Sequence, residues 1–68
     1  MDVKKEIGKR IKKERNDGGL SLDQLSRRLN GILSASRFGN YEQGARLPGP
    51  QEIRMLAVVF GCLPAYLM

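Results

Sequence analysis

Apolar residues recur every three to four positions along most of the chain, and no stretch alternates in the manner of a strand. Val3, Ile7 and Ile11 form a narrow stripe on a segment otherwise made of Lys, Arg and Glu, which predicts a helix over about residues 2–16. Asp17-Gly18-Gly19 stops it, because glycine accepts the left-handed conformation that ends many helices. Ser21 with Gln24 three residues on makes a capping box. Leu20 is placed to staple onto Leu25, and Leu25 and Leu29 share one face. This second helix is expected to end near Asn30-Gly31. Ser34 offers the next N-cap, for a helix from Ala35 through Gln43 that ends at Gly44 and turns Phe38 and Tyr41 inward. In the loop that follows, Leu47 is expected to tuck into the core. Ile53, Leu56, Ala57 and Phe60 fit the i, i+3, i+4, i+7 template, giving a helix over about 50–60 with Pro50 in its first turn and Gly61 as its stop. Pro64 to Met68 opens a fifth helix, with Tyr66 or Leu67 pointing inward. The predicted fold is therefore all-α, a compact bundle of five short helices.

At 68 residues the chain has room for one small domain, and with a single cysteine, Cys62, it has no internal disulfide to reinforce its core. We read Cys62 as a small apolar residue rather than a redox centre. Histidine is absent, which removes Cys/His zinc sites and His-based acid–base chemistry. No clustered carboxylate pair or phosphate-cradling glycine loop is present, so the sequence offers no catalytic constellation, cofactor site or small-molecule site. The longest apolar run, Met55 to Cys62, is far too short to span a bilayer, and the charged N-terminus is unlike a signal peptide. A cytoplasmic protein without a membrane partner is the expectation.

Twelve Lys and Arg against seven Asp and Glu give a formal net charge of +5, concentrated at the N-terminus in Lys4, Lys5, Lys9, Arg10, Lys12, Lys13 and Arg15. Such a stretch fits a polyanion, either nucleic acid or an anionic membrane. It is equally the solvated face of a helix with Glu6 and Arg10 paired at i, i+4. The absence of Trp, and of aromatic residues from this helix, weighs against a membrane surface. The outer face of the third predicted helix is the more informative one: Ala35, Ser36, Arg37, Gly39 and Asn40 are small or hydrogen-bonding. Gly39 costs a helix interior about 1 kcal/mol relative to Ala, which points to something approaching the helix closely there, a ligand or a neighbouring helix.

Two capped helices joined by a glycine-containing turn, Leu20 to Gly44, have the layout of a helix-turn-helix at about residues 21–43. The runs Gly19-Leu20-Ser21, Ser34-Ala35-Ser36-Arg37-Phe38, Asn40-Tyr41-Glu42-Gln43-Gly44 and Arg46-Leu47-Pro48 resemble the Cro and lambdoid-phage-repressor, or XRE, family of DNA-binding domains. Leu56-Ala57, Phe60-Gly61 and Pro64-Ala65-Tyr66-Leu67 look like that family's last two helices, so the resemblance covers nearly the whole chain. It implies a lambda-repressor-like bundle spanning 1–68, the N-terminal part of a longer regulator. It also implies a repressor of phage or prophage type, bound as a homodimer to paired half-sites of a double-stranded operator about 34 Å apart.

The resemblance assigns base edges to Ala35, Ser36, Arg37, Gly39 and Asn40. Arg37 suits guanine or a phosphate, Asn40 adenine, Ala35 a thymine methyl, and Ser36 either base type or a phosphate. It assigns phosphates to Ser21, Leu22, Ser34 and Arg46, with Arg10 and Arg27 as further candidates. Arg15 and Glu42 match positions that pair in related repressors, which predicts a salt bridge between the first and third helices. Tyr41 and Phe38 are core anchors, with the Tyr41 hydroxyl within reach of a phosphate. The chain departs from the family pattern in three places: a turn at Asn30-Gly31-Ile32-Leu33 about two residues longer than usual, Leu22 where the family often has a phosphate-touching Gln, and Leu63 where it often has a capping Ser or Thr. A second reading keeps the fold and changes the use: an antitoxin-like module that binds a protein through the same helices.

Overall fold

A computed structural model describes residues 2–68. Its elements are α1 (Val3–Asp17), α2 (Leu22–Arg28), α3 (Ala35–Glu42), α4 (Pro50–Phe60) and α5 (Pro64–Leu67), and no strand occurs among the described residues. The helix starts follow from their caps. Asp2 accepts from the backbone N–H groups of Lys4 and Lys5 and so opens α1. At α2 the Ser21 hydroxyl accepts from Gln24 N–H while Gln24 Oε1 accepts from Ser21 N–H, at 3.1 and 2.8 Å, a complete capping box. Ser34 caps α3 through Arg37 N–H. Pro50 takes the first turn of α4, which ends at Gly61 in the left-handed conformation, φ 69°. α5 has no side-chain cap, with Leu63 at the capping position.

One core joins all five helices: Ile7 and Ile11 of α1, Leu25 of α2 with Leu29 and Leu33 after it, Phe38 and Tyr41 of α3, Ile53, Leu56 and Ala57 of α4, and Leu67 of α5. Among the described residues no polar or charged residue is buried as a whole, although the Glu42 side chain is nearly so. The Phe38 and Tyr41 rings meet edge to face with centroids 6.2 Å apart. Leu67, not Tyr66, is the inward residue of α5. Leu20 and Leu22 are half-buried against this core.

α1 lies across α3 at a close approach that the apolar stripe does not reveal. Gly8 is buried between Ile7 and Ile11, and a Cβ built there would stand 2.3 Å from the Tyr41 carbonyl oxygen and 2.8 Å from that of Glu42. The bare glycine backbone lets the last turn of α3 rest directly on α1.

Three expectations are corrected. Val3 is exposed, because the first turn of α1 runs past the end of the core. Leu47 is half-exposed, and its neighbour Pro48 is the buried residue of the loop. Successive side chains of an extended segment point to opposite sides, so only one of the pair faces inward. α2 stops at Arg28, with Leu29 as its C-cap, ahead of the expected Asn30-Gly31.

Candidate nucleic-acid interface

The turn between α2 and α3 places two residues in succession in the left-handed region, Asn30 at φ 55° and Gly31 at φ 72°. Asparagine is one of the few side chains that tolerate this conformation. The turn is nonetheless fixed. Gly31 N–H donates to the Ser26 carbonyl at 2.9 Å, and the Ser26 hydroxyl donates to the Leu33 carbonyl at 2.7 Å. The turn is thus tied back to α2 at two points, and Leu33 is carried into the core.

α2 and α3 enclose an open groove. Ser21, Leu22 and Asp23 line it from the start of α2, and Ala35, Ser36, Gly39, Asn40 and Gln43 from α3. The α3 residues fall at i, i+1, i+4, i+5 and i+8, a single helical face. Ser36, Asn40 and Gln43 stand exposed along it, while Ala35 and Gly39 form its half-buried floor. Nothing within the chain crowds Gly39: a Cβ there would meet only Leu22 Cδ1, at 3.8 Å. Its missing side chain keeps the floor open, whereas the tight helix–helix contact of this fold is at Gly8.

The structure does not gather all the proposed contact residues into this groove. Arg37 is half-buried and lies outside it, on the side of α3 that carries Tyr41. Burial pushes the Tyr41 phenol above its ordinary value, and the positive charges of Arg37 and Arg46 pull against that rise. The Tyr41 ring is only 1% exposed, which makes it a core residue first. Arg46 is exposed in the loop after α3, its backbone N–H bonded to the Asn40 carbonyl at 3.3 Å. Ser34 is exposed and used as a cap. Arg10 and Arg27 are exposed and line no part of the groove. Two lining residues escaped the sequence reading, Asp23 and Gln43. Gln43 was legible from its place one turn beyond Gly39, two beyond Ala35 and Ser36.

Arg15 also lines the groove, and each nitrogen of its guanidinium donates one hydrogen bond. Nε donates to Glu42 Oε2 at 2.6 Å, Nη2 to Glu42 Oε1 at 3.0 Å, and Nη1 to the Leu20 carbonyl at 2.8 Å. The two side chains are 13% and 7% exposed. The hydrogen bond to Glu42 raises the guanidinium above its already high value, so the charge persists at any pH the fold survives. Arg15 is therefore a structural tie that borders the groove. Among the described residues no group of three or more His, Cys, Asp or Glu side chains can hold a metal ion, and no helix is long and apolar enough to cross a membrane.

The model of a helix-turn-helix domain family matches residues 6–67. The chain belongs to that family. This helix-turn-helix domain is of the Cro and XRE type and is similar to two solved structures. One is the S. venezulae BldD DNA-binding domain, at 28% identity and a TM-score of 0.89, with 100% of this chain and 99% of that chain covered. The other is a crystal structure of the DNA-binding domain of BldD, at 30% identity and a TM-score of 0.84, covering 94% of this chain and 90% of that one. No curated protein matches.

Proposed function

We propose that this domain binds double-stranded DNA in a sequence-specific manner and represses transcription, laying α3 in the major groove. The observation that carries the reading is the row Ala35, Ser36, Gly39, Asn40 and Gln43, a face of small and hydrogen-bonding side chains left open beside the start of α2. In this arrangement Asn40 reads adenine through N6 and N7, Ser36 takes either base type, and Ala35 meets a thymine methyl. Gly39 lets the groove floor come close to the bases. Ser21, Leu22 and Ser34 border the backbone of the duplex. Arg37 and Arg46, flanking Tyr41 outside the groove, are better placed for phosphates than for base edges.

The net charge of +5 supports a polyanionic partner, with the lysines of α1 and Arg10 and Arg27 contributing a diffuse field. The similarity to the BldD DNA-binding domain supports a DNA-binding regulator. The resemblance of the sequence to the Cro and phage-repressor family extends the proposal to a cytoplasmic repressor of phage or prophage type, bound to paired half-sites as a homodimer.

Amide NMR of the labelled domain titrated with a duplex, at low salt and again at higher salt, tests the assignment. Shifts at residues 34–43, at Ser21-Leu22 and at Arg46, fading as salt rises, are expected. Shifts confined to the lysines of α1, or none, would refute it.

A further inference from the structure

A second surface lies away from the groove and shares no residue with it. Ile32 at the tip of the α2–α3 turn is 69% exposed, and Val58 on the outer face of α4 is 81% exposed. With Met55 and Val59 they line one shallow apolar depression. Its rim is cationic. Arg28, at the end of α2, lines the depression, and Arg54 stands one helical turn before Val58 on the same face of α4. Neither forms a salt bridge or side-chain hydrogen bond among the described residues. No acidic residue lines the depression itself; Arg28 and Val59 also border an adjoining groove that holds Glu14 and Asp17, and Asp17 is held there by Lys13 at 2.8 Å.

From this we infer that the Ile32–Val58 surface is a docking site for an acidic amphipathic helix of a partner protein. Exposed apolar side chains gathered in one place, rather than scattered, mark interaction surfaces on small soluble domains. An apolar stripe on the partner covers Ile32, Met55, Val58 and Val59, and carboxylates beside that stripe meet Arg28 and Arg54. The same charges disfavour a second copy of this chain. Two-fold pairing of the patch on itself brings the arginines of one copy against those of the other, with no acid in the lining of the depression to separate them. Because the two surfaces have no residue in common, a helix docked here leaves the α2–α3 face open.

The probe is a synthetic peptide of about 20 residues, long enough to hold a helix in water, with leucines at i, i+3, i+4, i+7 flanked by glutamates. Two controls accompany it: the same composition scrambled, and a version with lysines in place of the glutamates. Amide NMR of the intact domain is expected to show shifts at Arg28, Ile32, Met55, Val58 and Val59 with the acidic amphipathic peptide and with neither control. Val58→Asp, at a position too exposed to disturb folding, is expected to weaken that binding about tenfold or more while leaving the DNA titration unchanged. No shift with the acidic peptide overturns the inference. So do shifts spread over the lysines of α1 that Val58→Asp leaves intact. Dimerisation of the domain alone, lost in Val58→Asp by sedimentation, assigns the patch to a second copy and overturns it equally.

Discussion

Gly8→Ala sets two effects of opposite sign against each other. Alanine in place of glycine in a helix interior gains about 1 kcal/mol of helix propensity, and Gly8 lies well inside α1 with ordinary helical neighbours. The new methyl, however, would stand 2.3 Å from the Tyr41 carbonyl oxygen and 2.8 Å from that of Glu42. Both obstacles are backbone, so no side-chain rotation relieves them, and a contact of ordinary length requires α3 to withdraw by about 1 Å. Overpacking of this kind typically costs about 1–3 kcal/mol, and a backbone obstacle places Gly8 at the upper end. The net effect is a loss of about 2 kcal/mol, or about 8–16 °C in the melting temperature of a domain this small. Gly18→Ala is the control. Its Cβ would lie 3.4 Å from the nearest atom, the Glu14 carbonyl oxygen, and φ is −82°, so it fits without displacement. Thermal melts followed by circular dichroism are expected to show Gly8→Ala melting well below the parent and Gly18→Ala at or slightly above it. A Gly8→Ala variant as stable as Gly18→Ala would refute the close approach of α1 and α3.

Arg15→Ala leaves the Glu42 carboxylate buried without a partner, a change that typically costs about 3–5 kcal/mol, comparable with the whole stability expected of a core this size. A denaturant midpoint close to that of the parent would contradict the role given to the pair. Gly39→Ala is expected to separate stability from binding: its Cβ finds room, so the helix gains up to about 1 kcal/mol, while the methyl rises from the groove floor and weakens DNA binding in a fluorescence-anisotropy titration. In a Tyr66→Phe background, near-ultraviolet absorbance is expected to show Tyr41 ionising only above 10.0, because burial favours its neutral form in the fold. The unfolded chain releases that proton first, so Tyr41 leaves stability unaffected below its unfolded value and lowers it as pH climbs past that value toward the folded one. Ionisation of Tyr41 at or below 10.0 in the intact fold would contradict its burial.

The helix starts were legible because they are local chemistry. Ser21 with Gln24, Ser34, Pro50 and Gly61 announce themselves within a few residues, and the structure uses each as its type predicts. The core was legible where the apolar period is unambiguous, as at Ile53, Leu56 and Ala57. What the sequence hid depends on how elements lie against one another. Gly8 interrupts no pattern and looks like a weak helix residue until α3 is placed on top of it. Arg37 and Gln43, by contrast, were legible from spacing alone: Arg37 stands four residues before Tyr41 and shares its side of α3, and Gln43 stands four after Gly39 on the groove side. Leu47 and Pro48 are both apolar, and only the path of the loop decides which turns inward.

The Arg15 guanidinium reaches three stretches of chain at once: its own helix, the Leu20 carbonyl just ahead of α2, and the last residue of α3. Loosening the end of α1 therefore frees both the approach to α2 and the end of α3, and α3 cannot lift from α1 without stranding the Glu42 carboxylate. The two helices that face the groove are thus not a cassette that can be excised as residues 20–44 and grafted elsewhere. They open and close as one cooperative unit with α1, which native-state hydrogen exchange registers as a common opening free energy for amides of α1 and α3.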